Sequence, residues 1–314
     1  MYGRTVQRKR GGQAGRAWQA RLVSAVALAV SAGCAGTQVG PRGGDMDRRT
    51  LDDLIVSGAR LMWVAAHPDD EALAGSILAK AGLRLHNPIF FFVLTHGEGG
   101  ECLLPEGCSP DLASVRGEEM KRAAALYGGL LQHESYFNAP LPVKSFPPRE
   151  EIARRWAARG DPTLEIAKAI REFAPTVVLT FDPDHGFTGH PEHQLASRFA
   201  TRAVVVAADP AVEIEGLAPH RVERTYYLKN RYWLFVLLGK ADPGPYTETF
   251  DARQECLPGR SCRDVMAEFT RAHRTQAADM GTVRRLRWMI DKIYLYRVDP
   301  WSEAKDPFEV AKRE

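Results

Sequence analysis

The chain has 314 residues, of which 45% are hydrophobic and 26% are charged, and its formal net charge at pH 7 is +3. This is an ordinary globular composition, and the length is enough for one large domain or two small ones. Because +3 is a slight charge for this length, nothing indicates a nucleic-acid partner. No internal repeat is evident, so the fold is predicted from the order of the strands and helices along the chain.

The N-terminal segment has the pattern of an export signal. A basic stretch is followed by the apolar run Leu22–Val30, which is too short to span a bilayer as a mature helix. The small residues before Cys34 look like a bacterial lipoprotein processing site, although ordinary cleavage nearby or an uncleaved anchor would also export the chain. We therefore predict a signal peptide over residues 1–34 and a flexible polar tether over 35–50. The predicted location is the periplasm or cell envelope, with membrane attachment only through the N-terminal lipid or anchor.

The first predicted strand, Leu61–Ala65, runs directly into His67-Pro68-Asp69-Asp70-Glu71. In an open parallel sheet this turn lies at the carboxyl end of a strand, where such folds bind their ligands. Imidazole and carboxylate are common zinc ligands, so His67 and Asp70 are candidate metal ligands. Asp69 beside them is free to accept a proton from a metal-bound water. The alternative is a His at a strand end and an Asp that caps the next helix, without any metal.

The second predicted strand, Ile89–Thr95, is followed by the glycine-rich turn His96-Gly97-Glu98-Gly99-Gly100, and a helical pattern containing Arg116 and Glu119 comes next. Taken alone, the turn is a flexible loop or a phosphate-binding turn, although no G-x-x-x-x-G-K-[ST] pattern is present. Arg116 and Glu119 alone would be an ordinary i,i+3 ion pair on a helix surface.

Another cluster of polar residues follows the predicted strand Val177–Phe181. Its loop is rich in Gly and Pro and ends in Gly189-His190-Pro191-Glu192-His193, where the next helix begins. His190 and His193 are three residues apart around a helix start, so both can face one cavity, one binding a metal and the other meeting a substrate. In isolation such a motif is a solvated helix start. Because both clusters follow apolar strands, a parallel sheet brings them to the same edge.

Strands and helices alternate along most of the chain, which predicts a Rossmann-like α/β sandwich with a mostly parallel sheet. The later segments 225–229 and 232–238 are candidates for further strands. The predicted helices are 72–81, 112–127, 164–173 and 195–207, with closing helices at 264–278 and 283–294.

Four cysteines form two closely spaced pairs, Cys102 with Cys108 and Cys256 with Cys262. Together with the export signal they predict either two local disulfides or two bridges that join the loop after the second strand to the C-terminal region. Free thiols or a structural metal site are the alternatives, but the five-residue spacing does not match the common C-x-x-C zinc pattern.

Taken in order, the motifs between residues 60 and 280 resemble the PIG-L/LmbE-like zinc-dependent deacetylases, which remove acetyl groups from N-acetylglucosamine-containing molecules. The resemblance implies a single LmbE-like domain over 51–314, built as a three-layer α/β sandwich. It also implies Zn²⁺, or another divalent metal, as the cofactor. The residues to which it gives roles are the metal ligands His67, Asp70 and His193, the general base Asp69, and His190, which stabilises or protonates the transition state.

The same resemblance places Glu98 and Arg116 on the substrate side of the site, and residues 273–276 look like a C-terminal His-x-Ser/Thr-Gln element. The sequence departs from the family pattern at two places. Glu192 stands where the family usually has Asp, a change that can alter the hydrogen bonds around the metal ligands. The segment 135–142 lacks the Asp-Gly that is common after the third strand, so the usual sugar contacts do not carry over.

These inferences predict a metal-dependent hydrolase that removes the N-acetyl group from an N-acetylglucosamine-type sugar or glycoconjugate and releases acetate. Two alternatives stay open. The same zinc site could hydrolyse a different amide-containing conjugate, or the chain could be a carbohydrate-binding lipoprotein without turnover. Nucleotide binding is disfavoured because the first strand is followed by an acid-rich turn and not by G-x-G-x-x-G.

Overall fold

The computed structural model describes residues 48–239, 241–242 and 244–310, so the predicted signal peptide, Cys34 and most of the predicted tether lie outside the described residues. The strands of this part of the chain are β1 Leu61–Ala65, β2 Ile89–Val93, β3 Leu130–His133, β4 Val177–Phe181, β5 Arg224–Lys229, β6 Glu248–Asp251, β7 Glu255–Leu257, β8 Arg260–Ser261 and β9 Lys292–Val298.

One helix precedes β1, and the others fall between the strands or after β9. They are α1 Leu51–Val56, α2 Glu71–Ala79, α3 Leu112–Leu126, α4 Arg149–Arg159, α5 Pro162–Phe173, the single turn α6 Gly186–Gly189, α7 Pro191–Ala208, α8 Trp233–Leu237, α9 Cys262–Phe269, α10 Ala277–Leu286 and α11 Pro300–Glu303. Short 3₁₀ turns at Thr270–Ala272 and Arg274–Gln276 join α9 to α10, and another at Arg287–Met289 follows α10.

A seven-stranded sheet organises these elements in the order β3-β2-β1-β4-β5-β9-β6. The first five strands in that order are parallel, whereas β9 pairs antiparallel with both β5 and β6. The chain builds outward from β1 through β2 to β3 and then returns to place β4 on the other side of β1. This reversal between β1 and β4 is a topological switch point, and it confirms the predicted α/β fold with a mostly parallel sheet.

Burial on both faces explains why the central strands are apolar throughout. Every residue of β1 and β4 is buried, as expected for parallel strands covered by helices on both sides. Because the pleat alternates the side chains, Trp63 packs on one face with Phe91 and Phe181, and Val64 lies on the other face with Phe92. The sheet is therefore the middle layer of a sandwich whose outer layers are helical.

Two predicted elements are wrong near the C-terminal end. Residues 232–238, predicted as a strand, contain the helix α8, because a short apolar run has no periodicity that separates a strand from a helix. The predicted helix 283–294 ends at Leu286, and the strand β9 starts at Lys292. The alternation of buried Ile293 and Leu295 with less buried tyrosines is the period of two that signals this strand.

The cysteines pair locally, as Cys102–Cys108 and Cys256–Cys262. This is the first of the two predicted arrangements. Each bridge closes a short loop, so the disulfides brace the loop after β2 and the β7–β8 hairpin separately. In the ranges that the structure describes, no helix combines the length and the apolar composition needed to cross a membrane.

Candidate active site

The two sequence motifs meet at the switch point of the sheet. β1 and β4 are parallel neighbours, so the turn after Ala65 and the loop after Phe181 leave the same edge side by side. A cavity of about 530 Å³ opens there and is lined by His67, Asp69, Asp70, His190 and His193 among others. Ligands of open α/β sheets bind at this position.

Three of the side chains that line this cavity converge. His67 Nδ1 lies 3.1 Å from His193 Nε2, which lies 3.0 Å from Asp70 Oδ1. The other oxygen of the same carboxylate, Asp70 Oδ2, lies 3.5 Å from His67 Nδ1. The structure therefore brings together the three residues predicted as metal ligands, from positions 126 residues apart along the chain.

The hydrogen bonds behind the two imidazoles fix which nitrogens face each other. His193 Nδ1 donates to the Gly186 carbonyl at 2.9 Å, and His67 Nε2 donates to the Glu192 carboxylate. The remaining nitrogens, His67 Nδ1 and His193 Nε2, then present lone pairs to one another and to Asp70. Two lone pairs and a carboxylate oxygen facing one point repel unless a cation lies between them, so this donor set fits a bound metal.

The electrostatics of His67 agree with that interpretation. Burial lowers the pKa of His67, but the carboxylates of Asp70 and Glu192 outweigh burial and raise this pKa to about 10. The buried site thus favours a positive charge at this imidazole, which a proton or a metal ion can supply.

Asp70 does not act as a simple helix cap, although it occupies the N-cap position of α2. Its side chain makes no capping bond, and Oδ2 instead accepts from the backbone N–H groups of Ala66 and His67 at 3.1 and 2.8 Å. These bonds point Oδ1 at His193. Despite burial, which raises it, the pKa of Asp70 is held well below its usual range by His193 and His67. Asp70 therefore binds backbone amides before the helix and not those of the first helical turn, which the helix-cap alternative predicted.

Glu192 supports His67, one of the candidate metal ligands, through a hydrogen bond. It is fully buried and accepts three hydrogen bonds: from His67, from Asn138 Nδ2 at 2.6 Å and from the Ala139 N–H at 2.7 Å. Phe181, the last residue of β4, stacks on His193 at a centroid distance of 4.3 Å. Because Glu192 joins the segment after β3 to His67, the residue that departs from the family pattern orients a predicted ligand.

Asp69 has a strained backbone that is held by its neighbours. Its φ is +92°, a region that non-glycine residues rarely adopt. Arg116 donates to Asp69 Oδ2 at 3.1 Å and to the Pro68 carbonyl at 2.7 Å, and Glu71 accepts the Asp69 N–H at 3.1 Å. Burial raises the pKa of Asp69 to about 6, against the opposing charge of Arg116. The carboxylate is therefore ionised at neutral pH and yet more basic than an exposed aspartate.

His190 caps the helix that carries His193. Its Nδ1 accepts from the Glu192 N–H at 3.3 Å, and Pro191 occupies the first helical position, where its missing N–H costs nothing. The proton of the neutral ring is then on Nε2. Burial, and after it the charges of His193 and His67, lower the pKa of His190 far below its ordinary value. Burial therefore favours the neutral form of His190, in which Nε2 carries the N–H.

Comparison with known proteins places this site in a family. The profile described as "PIG-L: GlcNAc-PI de-N-acetylase" matches residues 62–204. A 1D-myo-inositol 2-acetamido-2-deoxy-alpha-D-glucopyranoside deacetylase from Thermobifida fusca is 31% identical over 255 residues, which are 71% of this chain and 85% of the relative. The chain belongs to the PIG-L family. A deacetylase of the same name from Geodermatophilus obscurus is also 31% identical, over 70% of this chain and 80% of its own length.

Solved structures of other proteins resemble this PIG-L chain in their fold. N,N'-diacetylchitobiose deacetylase from Pyrococcus horikoshii superposes with a TM-score of 0.56 at 14% identity, covering 82% of this chain and 90% of that one. The hydratase GalB from Pseudomonas putida reaches a TM-score of 0.54 at 16% identity, covering 81% and 98%. At these identities the likeness shows the fold alone, and one scaffold carries both a deacetylase and a hydratase.

The family assignment confirms the predicted LmbE-like fold and the prediction of a deacetylase of the hydrolase class, and it overturns the predicted location. The export of a lipid-anchored periplasmic or cell-envelope protein is wrong, because the relatives that match most of this PIG-L chain are deacetylases of a free inositol glycoside. The basic and apolar pattern that suggested export lies outside the described residues.

The residues predicted on the substrate side have different positions in this PIG-L chain. Arg116 lines the cavity but is buried and bonded to Asp69, Pro68 and Gly97, so it does not form the surface ion pair with Glu119. Glu98 is exposed, does not line the cavity, and accepts the Asn138 N–H at 3.1 Å.

The C-terminal element is joined to the site by two buried contacts that were not predicted from the sequence. His273 Nε2 lies 2.6 Å from Glu71 Oε1, and the other oxygen of Glu71 is the acceptor for Asp69. Thr275 donates to Glu119 from both its N–H and its hydroxyl, at 2.9 and 2.6 Å. The His-x-Thr-Gln pattern was the available sequence signal for these contacts. The contacts hold the backbone around Asp69 and Arg116 in place.

Proposed function

We propose that this PIG-L chain is a zinc-dependent hydrolase that removes the N-acetyl group from an N-acetylglucosamine-type sugar or glycoconjugate and releases acetate. The observation that carries the proposal is the convergence of His67 Nδ1, Asp70 Oδ1 and His193 Nε2 beside the general-base candidate Asp69. The relatives' names supply the class of amide, since they are deacetylases of a 2-acetamido-2-deoxyglucoside.

Two imidazoles and one carboxylate are a common protein ligand set of catalytic zinc, which keeps a further position for water or substrate. A second set, His67, His190 and His193, also has ligand atoms within 4.8 Å of one another. We favour the set with Asp70 because its atoms lie 3.0–3.5 Å apart. When bound, a divalent metal acts as a Lewis acid that polarises the amide carbonyl and lowers the pKa of a water to about 7.

Asp69 is assigned the proton transfers. Its carboxylate accepts the proton of the attacking water and then returns it to the amine that leaves when the C–N bond breaks. The guanidinium of Arg116 holds this carboxylate in place at 3.1 Å. The backbone of Asp69 has a φ of +92°, and its side chain lines the cavity.

His190 is assigned the stabilisation of the developing oxyanion. The acceptor bond at Nδ1 directs the N–H at Nε2 towards the cavity, where a neutral imidazole donates a hydrogen bond as charge builds up on the former carbonyl oxygen. Phe146 packs edge-on against this ring at a centroid distance of 4.9 Å, which restricts its rotation.

Metal removal tests the proposal directly. The purified chain is incubated with methyl N-acetylglucosaminide and with N-acetylated amides that lack a sugar, and acetate is measured before chelation, after chelation and after Zn²⁺ is returned. We expect acetate from the sugar amide, at least about a hundredfold less after chelation, and recovery with zinc. Release only from the other amides would favour the general amidase, and binding without acetate release would favour the carbohydrate-binding protein.

Replacing Glu192 with Gln tests the support of the metal site. A Gln side chain offers one oxygen to the three donors that Glu192 accepts and turns an N–H₂ group towards one of them. We therefore expect zinc affinity to fall by about 10- to 100-fold, as measured by competition with a chromogenic chelator. Glu172→Gln, on the exposed side of α5, is the matched control and is expected to keep the wild-type affinity. Equal affinities in both variants would remove Glu192 from this role.

A further inference from the structure

The active-site cavity has two chemically different parts. The inner part, around the metal-ligand candidates, contains buried polar groups such as Arg116 and Asn138. The outer part is lined mostly by apolar side chains from two separate elements, α10 with the turn after it and α8 with the residue before it, although Asp279 and Thr282 of α10 line the same cavity. The residues of this outer wall are Tyr232, Phe235, Met280, Val283, Leu286 and Met289.

We infer that the substrate of this site carries a hydrophobic aglycone that lies against the outer wall, and the inference rests on the function proposed above. The amide must reach Asp69 and His190 at the inner end, so the acetyl group and the nitrogen that bears it occupy the polar part. The portion of the substrate that extends towards the outer wall is then the group on the far side of the sugar. An apolar wall at that distance selects an alkyl, acyl or terpenoid chain.

Exposed apolar side chains lie close in sequence to the residues of the outer wall. Leu237 is 72% exposed and Leu238 is 58% exposed, two and three residues after Phe235 of the outer wall. Trp288 is 60% exposed and directly precedes Met289. Large apolar side chains exposed beside a cavity that is itself apolar mark a surface that binds an apolar group.

A polyol aglycone fits this wall poorly. The inositol ring in the relatives' named substrate carries hydroxyl groups around its whole circumference, and each needs a hydrogen-bond partner when buried. The six side chains of the outer wall offer one hydrogen-bonding group, the Tyr232 hydroxyl, and the polar residues Gln276, Asp279 and Thr282 line the same cavity beside them. The wall itself therefore leaves most hydroxyl groups of a polyol without a partner, whereas an alkyl chain needs none.

The test compares alkyl glycosides of N-acetylglucosamine on the zinc-loaded full chain, with methyl, butyl and octyl aglycones below their critical micelle concentrations. Each methylene buried against the wall contributes roughly a fourfold gain. We expect kcat/KM for the octyl glycoside to exceed that of the methyl glycoside by at least about a hundredfold, the gain from burying three or four of the seven additional methylenes, mostly through KM. Calorimetric binding of octyl and methyl 2-amino-2-deoxyglucosides to chelated protein measures the same preference without turnover.

Substitutions in the wall assign the preference to these residues. Val283→Asp, and Met280→Gln as a second variant, are expected to reduce the octyl-to-methyl ratio of kcat/KM at least tenfold, because each places a polar group against the chain. Val56→Asp, on the exposed face of α1 and away from the cavity, is the matched control and is expected to leave the ratio unchanged. Thermal melts confirm that each variant is folded.

The outcomes separate the two proposals. Hydrolysis of all the glycosides at the same kcat/KM, with equal binding of both amines, overturns the hydrophobic aglycone while leaving the deacetylase intact. Absence of acetate from every glycoside in the presence of zinc, with the octyl amine still bound more tightly than the methyl amine, overturns the proposed function and keeps the apolar site. A stable dimer that Val283→Asp converts to monomer, without any chain-length preference, would assign the wall to a second copy of the chain and overturn the inference.

Discussion

Asp69→Asn is expected to lower kcat by about 10²- to 10⁴-fold while the protein keeps its full complement of zinc. The amide is nearly isosteric with the carboxylate and can still accept a hydrogen bond from Arg116, so the turn retains its shape. It cannot take a proton from the attacking water or return one to the leaving amine. Because Asp69 is not among the three convergent ligand atoms, zinc content measured by atomic absorption should not change.

Asp279→Asn is the matched control for this experiment. Asp279 lines the same cavity, undergoes the same chemical change, and lies on α10 away from the metal-ligand candidates. Its kcat is expected to stay within about threefold of wild type, since an exposed carboxylate makes a small contribution. An Asp69→Asn protein with wild-type kcat would remove the general base, and one without zinc would make Asp69 a ligand.

The convergence of the two motifs was predictable because it follows from topology. Each motif directly follows an apolar strand, and parallel strands in one sheet deliver their following loops to one edge. The triangle of His67, Asp70 and His193 needs only that β1 and β4 be neighbours, which the switch point guarantees. The residue types then indicate which reaction the site can catalyse, because the same turns hold both the candidate ligands and the candidate base.

The hydrogen bonds that support the site were less predictable, because the residues that they join are distant in sequence. Glu71 and His273 are 202 residues apart, and Glu119 and Thr275 are 156 residues apart. No local periodicity encodes such a contact, so the sequence could identify the C-terminal element only by resemblance. The state of His190 also depended on the structure, since its protonation follows from the Glu192 N–H and from burial.

The outer wall was missed for a different physical reason. Its two elements lie where the predicted secondary structure was wrong, at α8 and at the end of α10. Assigning 232–238 to a strand would place alternate side chains in the core, whereas the helix leaves Val236 and Leu237 exposed. The apolar composition of this segment alone fits either structure.

Asp70→Asn and His190→Ala together decide which residues bind the metal. In Asp70→Asn the new amide can still accept the backbone N–H groups of Ala66 and His67 through its oxygen, but it then turns an N–H₂ group towards His193. A donor in place of a carboxylate oxygen cannot ligate zinc, so we expect this variant to lose both zinc and acetate release.

His190→Ala is expected to retain zinc and to lose about 10²- to 10³-fold in kcat, because it removes a donor to the oxyanion and no ligand. Zinc content and kcat measured on both variants distinguish the alternatives. A His190→Ala protein that loses its zinc, beside an Asp70→Asn protein that keeps it, would assign the metal to the three histidines. The carboxylate of Asp70 would then be a partner of His193 alone, and the oxyanion would need another donor from the cavity wall.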